Sequence, residues 1–439
     1  MKRLLIMVLA VIMIGVSAFS AAAVDYMCNE ETVSGAVYLE NLNTGAVVYE
    51  KNSDQRMFPA STTKIMTFII TAENVSDPDN TEVTVTQDAI QGLDPDSTVM
   101  GLASHVGEQV TVKDLLYGLM LPSGNDAALL LADYVGGGIS GFAEKMNAKA
   151  AELGCTGTHF TNPHGLYDPD HYTTARDMAL ITKYAMTIPS FMEVCDTVYY
   201  TPAGYETLHN TNYMIDEEAE GGMYYYPYTR GIKTGYLDEA GKCLVTSSDK
   251  DGDKYLCICL GADYSFEENI NYAMKDTAKL YTWAYENLGT QTIYSPEESL
   301  ASVDVKYVRN GKTLDAVPEK AVTAYLPNQY DKSKLKVEIN CPEQVDAPVK
   351  KGDVLGTVSV QYEDLDLGVT NLLAAEDVER DISPLEVFFT DHMMLVIILA
   401  VALVLIAVLL IAVACARSAR KRRMARQRSH TNRGDRFRD

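Results

Sequence analysis

Apolar residues along this chain fall into three patterns: an unbroken run near each end, helical spacing in the middle, and short alternating stretches on either side of it. Side chains that return every three to four positions mark helices over residues 112–121, 125–135, 142–153 and 271–288. Pro122-Ser123-Gly124 separates the first two, Gly136-Gly137-Gly138 ends the second, and Gly154 stops the third. Alternation predicts a hairpin from residues 34–40 and 46–50, turning through Asn41 to Gly45. It also predicts strands over 231–236, 241–247 and 254–261, the last two joined by a polar turn from Asp249 to Asp253. Residues 24–288 therefore read as one α/β (α+β) unit with an antiparallel sheet and a helical region. Residues 289–298 form a polar linker, and no long helical pattern follows up to residue 371. Alternating runs at 302–308, 334–339 and 354–361 predict a small all-β domain over 289–375, and 376–392 read as an initially acidic stalk.

The two end runs differ in kind. Residues 1–23 have Lys2 and Arg3, an apolar stretch over 4–16 and Ala21-Ala22-Ala23, the layout of a secretory signal peptide. The competing reading, an uncleaved anchor, asks a short stretch to span. Residues 393–416 contain 24 positions without a charge. At about 1.5 Å per residue they reach roughly 36 Å, enough to cross the hydrocarbon core as one transmembrane helix. A buried core helix is the competing reading, but a run of that length with no polar face favours a span. The tail at 417–439 holds ten Lys or Arg against two Asp, which predicts a cytoplasmic flank. Its basic character reads as a membrane flank with attraction to anionic lipid, not as a nucleic-acid site.

Charge supports that division. The whole chain has 37 Lys and Arg against 60 Asp and Glu, a net −23. Without the tail, Lys2 and Arg3, what remains is 25 against 58, near −33. Such a surface excludes a nucleic-acid groove and suits an extracytoplasmic domain. Of eight cysteines, Cys257 and Cys259 share one face of an apolar strand at a spacing wrong for zinc or redox work. Most cysteines read as small buried hydrophobes, and no disulfide pairing follows from the sequence.

Against this layout stand three short motifs in order: Ser61-Thr62-Thr63-Lys64, Ser123-Gly124-Asn125 and Lys233-Thr234-Gly235. A serine needs a base to become a nucleophile, and a lysine three positions on shares its helical face. The S-x-x-K spacing also occurs at Ser247/Lys250, Ser333/Lys336 and Ser418/Lys421. Those sites read as a polar turn, a charged loop and the basic tail, whereas Ser61 opens an apolar helical run after Pro59. S-x-N occurs only at Ser123 and K-T-G only at Lys233. The ordered set is the signature of acyl-serine enzymes of the penicillin-binding and class A β-lactamase kind. Lys64 must spend time neutral to act as a base, and burial beside a second cation, Lys233, would lower its pKa. Ser61 near a helix start also places its N–H beside developing negative charge.

Further segments strengthen the set: Ala60-Ser61-Thr62-Thr63-Lys64, the run from Leu121 to Ala127, Asn162-Pro163-His164-Gly165-Leu166, the run from His171 to Ala175, and Gly231 to Tyr236. With these the chain resembles the exported serine D-Ala-D-Ala carboxypeptidases, the low-molecular-mass penicillin-binding proteins, over nearly all its mature length. The run from Ala347 to Gly352 resembles their membrane-proximal β domain. The resemblance implies a β-lactamase/transpeptidase-like catalytic domain with Ser61, Lys64 and Ser123 as catalytic residues, Ser123 relaying a proton to the leaving D-alanine. It implies substrate binding by Asn125, Lys233, Thr234, Gly235 and Tyr236: Asn125 on the peptide, Lys233 and Thr234 on its terminal carboxylate, and the Tyr236 N–H as second oxyanion donor. Gly235 would let the substrate backbone lie along the strand edge. The implied partners are peptidoglycan stem peptides ending in D-Ala-D-Ala, β-lactams as acylating inhibitors, and the membrane. No cofactor and no metal are implied.

One position departs from the family. Relatives carry a carboxylate-assisting arginine near the start of the last catalytic-domain helix; residues 264–286 contain none, and Ala273 falls near that place. Carboxylate recognition then rests on Lys233 and Thr234, or on Lys275. Other clusters have competing readings. His164, Asp168, Asp170 and His171 look like metal ligands but are better explained as a structural loop. The tyrosines from Tyr224 to Tyr228 read as loop packing before a glycan platform. Two alternatives to the carboxypeptidase remain. A β-lactamase needs a deacylating glutamate, which the run Glu206-Thr207-Leu208-His209-Asn210 imitates loosely; a catalytically weak wall-binding homologue would fit the missing arginine.

Overall fold

The computed structural model describes residues 26, 28–265 and 270–431. The expected signal segment and the last eight residues of the basic tail lie outside them. The chain forms two compact units. The first holds the described residues up to Gln291 together with Ala324–Lys334 and Tyr362–Leu365. The second holds Thr292–Thr323, Leu335–Gln361 and the described residues from Asp366 onward.

The first unit is built on a five-stranded antiparallel sheet from β1 (Ala36–Asn41), β2 (Val47–Lys51), β3 (Thr229–Leu237), β4 (Gly241–Lys250) and β5 (Asp253–Ala262). Their order is β2-β1-β5-β4-β3, so β3 is an edge. The central strands β1 and β5 bury six residues each in succession. Against one face of the sheet lie α1 (Lys64–Asn74), α2 (Val112–Met120), α3 (Asn125–Gly136), α4 (Ile139–Glu152) and α5 (Ala175–Ala185), while α6 (Tyr272–Asn287) packs on the other, where Thr277 meets Cys259 and Tyr281 meets Tyr255. Helix α1 is buried on every side from Lys64 to Thr71, as an all-round apolar run requires of a central helix. Its polar members are satisfied locally: Thr67 donates to Pro163 O at 2.5 Å and Thr71 to Thr67 O at 2.8 Å. Thr111 and Thr174 cap α2 and α5 by accepting from the backbone N–H three residues on, and Asn271 caps α6.

Two expectations change here. Ser247 belongs to the expected strand and not to the polar turn also read there: it is buried in β4, where its hydroxyl donates to Arg230 O at 3.1 Å, and the strand continues to Lys250. The stretch beginning at Gly289 is not all linker either, since Leu288–Tyr294 is a strand.

The second unit carries a six-stranded sheet in the order Leu335–Asn340, Val354–Tyr362, Leu365–Ala374, Lys312–Pro318, Ala301–Lys306, Gln344–Asp346. Alternate residues such as Val303, Val305, Leu314, Val358, Val360 and Leu372 are buried. Within the expected stalk, Pro384–Asp391 is a short helix with a capping box between Ser383 and Glu386. The apolar run at 393–416 is the start of a single helix, Met393–Thr431, which carries the basic segment without a break. The helix is long and apolar enough to cross a membrane, and none of its apolar stretch is buried.

Candidate active site

All three motifs meet in the first unit. Ser61 lies in a single 3₁₀ turn, Ala60–Thr63, that leads into α1, and not in the α-helix itself. A strained backbone and one tight contact mark this turn. Ala60 has φ +47°, and Gly165, at φ +84°, lies so close that a Cβ there would fall 1.9 Å from Ala60 O. A side chain is therefore excluded at 165.

Lys64 opens α1 and is fully buried. Its Nζ lies 2.9 Å from Ser61 Oγ, 2.7 Å from Asn125 Oδ1 and 2.8 Å from His164 O. Burial pulls its pKa well below the usual lysine value, and the Lys233 charge pulls it further, against a smaller opposite effect of Asp126. A neutral amine has two N–H donors and one lone pair. Asn125 Oδ1 and the His164 carbonyl can only accept, so they take both N–H groups. The lone pair is left for the Ser61 hydroxyl, the arrangement in which a serine loses its proton to a lysine.

Ser123 faces the same point from the other side. Its backbone is left-handed, φ +66°, a strained setting for a serine, and its buried hydroxyl has no hydrogen-bond partner among the described residues. The segment is held by Thr98, whose Oγ1 donates to Ser123 O at 2.8 Å, and by Asn125 N donating to Thr98 O at 2.8 Å. Next to it, the Asp126 carboxylate accepts from Met100 N, Gly101 N, Leu102 N and Ala127 N at 2.8–3.0 Å, binding the 100–102 loop to the start of α3.

The K-T-G motif forms the opposite wall on edge strand β3. Lys233 is buried, its Nζ donating to Thr234 O at 3.0 Å, and burial lowers its pKa to about 7. The Thr234 and Thr211 hydroxyls lie 2.6 Å apart. A Cβ on Gly235 would fall 3.0 Å from Ser61 N and 3.1 Å from Ala60 Cβ. The glycine thus lets the strand itself reach the nucleophile turn, a nearer reason for it than the expected approach of substrate. Tyr236 follows, half exposed, its hydroxyl donating to Asp238 Oδ1 at 2.7 Å.

Between the walls runs a cleft of about 660 Å³ lined by Ser61, Ser123, Asn125, Thr234, Gly235 and Tyr236 among others. Every expected site residue except Lys64 and Lys233 lines it, and those two lie buried behind it. Asn125 does more than expected, since it also holds Lys64. The His164 carbonyl, Asp126, Thr211 and Lys242 are parts that motif reading missed. The segments around His164 and Asp126 were legible, but a backbone carbonyl and a loop tether carry no residue-type signal. Lys242 lies opposite Tyr236 across β3 and β4, with its Nζ 3.9 Å above that ring.

The remaining candidates resolve. Lys275 donates to Met223 O at 3.0 Å and does not line the cleft, while Ala273 is buried. Carboxylate binding by Lys275 is therefore not supported. His171 has both ring nitrogens engaged: Nδ1 accepts from Thr161 N at 3.0 Å, and Nε2 meets Thr63 Oγ1 at 2.8 Å. His164 Nδ1 accepts from Leu166 N at 3.1 Å. Burial lowers their pKa values to about 4 and about 3, so both are neutral struts beneath the nucleophile turn. Tyr226 and Tyr228 pack on Tyr281 and Tyr285. Glu206 is exposed and outside the cleft, so the glutamate a β-lactamase would need is not in place there.

Residues 23–264 match the family model described as D-alanyl-D-alanine carboxypeptidase, and residues 289–380 match the C-terminal domain of penicillin-binding protein 5. The D-alanyl-D-alanine carboxypeptidase DacF of Bacillus subtilis (strain 168) is 31% identical over 397 residues, covering 87% of this chain and 95% of its own. Among solved structures, penicillin-binding protein 5 of Haemophilus influenzae aligns with TM-score 0.57 at 27% identity, covering 80% of this chain and 99% of that one. Penicillin-binding protein D2 of Listeria monocytogenes, solved in a cefotaxime-bound form, aligns with TM-score 0.50 at 26% identity over 59% of this chain and 99% of that one.

Proposed function

Since the chain belongs to the D-alanyl-D-alanine carboxypeptidase family of serine peptidases, we propose that it removes the terminal D-alanine from peptidoglycan stem pentapeptides through an acyl-enzyme on Ser61. The supporting observation is the buried Lys64 amine, with two pure acceptors and the Ser61 hydroxyl around it. Lys64 takes the Ser61 proton as Oγ attacks the carbonyl carbon of the penultimate residue. The oxyanion lies between the N–H groups of Ser61 and Tyr236, on adjoining segments. The Ser123 hydroxyl passes the proton from Lys64 to the leaving amine, the C–N bond breaks and D-alanine departs. Water then attacks the ester, with Lys64 again accepting a proton. Asn125 orients the peptide and Lys64 together. Lys233, in its charged form, and Thr234 hold the terminal carboxylate. β-Lactams acylate the same oxygen. The helix Met393–Thr431 anchors the protein, with the first unit outside the cell membrane and the basic tail in the cytoplasm.

The test is direct. The full-length protein in detergent, given a pentapeptide ending in D-Ala-D-Ala, should release D-alanine and be labelled by penicillin at Ser61. Ser61→Ala and Lys64→Met should lose both, by about 10³-fold or more for the lysine. No release and no labelling overturns the reading, and rapid penicillin turnover would make the protein a β-lactamase instead.

A further inference from the structure

The K-T-G strand does not begin in regular register. Arg230 pairs with Ser247 and Ile232 with Thr246, so Gly231 is one residue more than β4 can match. Neighbouring positions of a strand point to opposite faces, and a slip of one residue exchanges them. The exchange is visible here. Arg230 is exposed and Ile232 fully buried, although two positions apart they would share a face in an unbroken strand. The bulge at Gly231 therefore decides that Lys233 is buried while Thr234 borders the cleft.

Two side chains hold this bulge by its carbonyl. Gly231 O accepts from Asn212 Nδ2 at 2.8 Å and from the Thr246 hydroxyl. Thr246 belongs to β4, whereas Asn212 comes from outside the sheet. Asn212 is fully buried, and its Oδ1 accepts from Met214 N at 3.2 Å. Asn210 anchors the same segment: its Nδ2 donates to Cys195 O and Thr197 O at 3.0 Å each, and its Oδ1 accepts from Asn212 N at 2.9 Å. Between the two, Thr211 N donates to Leu121 O at 3.1 Å, two residues before Ser123, and the Thr211 hydroxyl meets that of Thr234. Gly231 also abuts Cys195, where a Cβ on the glycine would fall 2.7 Å from Cys195 Cβ. Residues 210–212 thus tie the segment leading to Ser123 to the strand that carries Lys233.

We propose that Asn212 is a positioning residue for the reaction: by holding the Gly231 carbonyl it keeps the bulge in place, and with it the faces on which Lys233 and Thr234 meet the donor's terminal carboxylate. This rests on the carboxypeptidase reading, in which those two residues bind that carboxylate. Asn212 does not line the cleft, so it acts only through the strand. Without its amide the buried carbonyl loses a donor and the strand is freer to slip. Ser61 and Lys64 are held by Asn125, His164 and Gly165, which this strap does not touch.

The experiment uses the full-length protein in detergent and two pentapeptides that differ only at the C-terminus, one ending in a D-Ala-D-Ala carboxylate and one in the corresponding amide. In the wild type, kcat/KM should favour the carboxylate about 10²-fold. In Asn212→Ala that preference should fall below about tenfold, through loss on the carboxylate peptide, with the amide peptide cleaved within about threefold of the wild-type rate. Thr246→Val removes the other donor, keeps the branched shape and should move the preference the same way; it stands in if Asn212→Ala does not fold. A purely structural role would lower kcat/KM for both peptides by one factor, or lower Tm alone. An unchanged preference in Asn212→Ala, or in its stand-in, therefore overturns the proposal while leaving the carboxypeptidase reading intact. A wild-type preference near one also overturns it, since the strand would then bind no carboxylate. Wild-type protein that cleaves neither peptide sinks the carboxypeptidase reading and the proposal with it.

Discussion

Replacing Gly235 with alanine tests whether the strand, and not merely its side chains, belongs to the catalytic geometry. The added Cβ would lie 3.0 Å from Ser61 N, 3.1 Å from Ala60 Cβ and 3.2 Å from Pro59 O. None of these atoms ends a flexible side chain. Comfortable contacts begin near 3.5 Å, so the nucleophile turn and β3 must separate by about half an ångström. The strand cannot bulge freely, because it is paired with β4 from Thr229 to Leu237 with Gly235 opposite Cys243. Overpacking of this kind costs about 1–3 kcal/mol. Displacement of about 1 Å between reacting groups can cost about 10²-fold, so half of that should lower acylation roughly tenfold. Single-turnover labelling with a fluorescent penicillin reads the acylation constant, and thermal melting reads stability. Loss of a few degrees in Tm with a wild-type acylation constant would refute the argument, since strain would then be absorbed away from Ser61.

Three other perturbations bear on the same site. Lys64 must be neutral and Lys233 charged, so kcat/KM for the peptide should fall on acidification as Lys64 gains its proton and fall again above about pH 7 as Lys233 loses its own; a value still climbing from pH 7 to 9 would remove Lys233 from carboxylate binding. Asp126→Asn turns one acceptor oxygen into a donor facing backbone N–H groups, so it should cost about 1–3 kcal/mol in melting experiments and slow acylation by loosening the 100–102 loop. Thr211→Val removes the partner of the Thr234 hydroxyl and should raise KM for the peptide several-fold with little change in kcat, which steady-state D-alanine release would measure.

Much of this was legible from residue pattern, and the exceptions share a cause. The helices starting at Val112 and Asn125 and the strands of the β3–β4–β5 meander follow from apolar spacing and glycine stops, which are local. Ser247 and Ser248 looked like a turn because they are polar, yet the Arg230 carbonyl and the Tyr285 hydroxyl, distant in sequence, satisfy them inside β4. Placing Ser61 in a 3₁₀ turn depends on Gly165, a hundred positions away, pressing on Ala60. The motifs named side chains that meet at the cleft, but of the two acceptors around the Lys64 amine only Asn125 belongs to a motif, and the other is the main-chain carbonyl of His164. No residue-type pattern encodes that.

The edge position of β3 has a consequence for drug escape. The groups that would grip an acyl donor there are peptide N–H and C=O groups of the strand and the N–H of Ser61, and point substitution cannot delete a peptide group. An antibiotic that copies only the donor's main chain therefore offers little for mutation to act on. Escape must come through the neighbouring side chains, Thr234 and Tyr236, or by shifting the strand bodily. Because the strand already touches the nucleophile turn at Gly235, a shift that rejects the antibiotic also displaces the normal reaction.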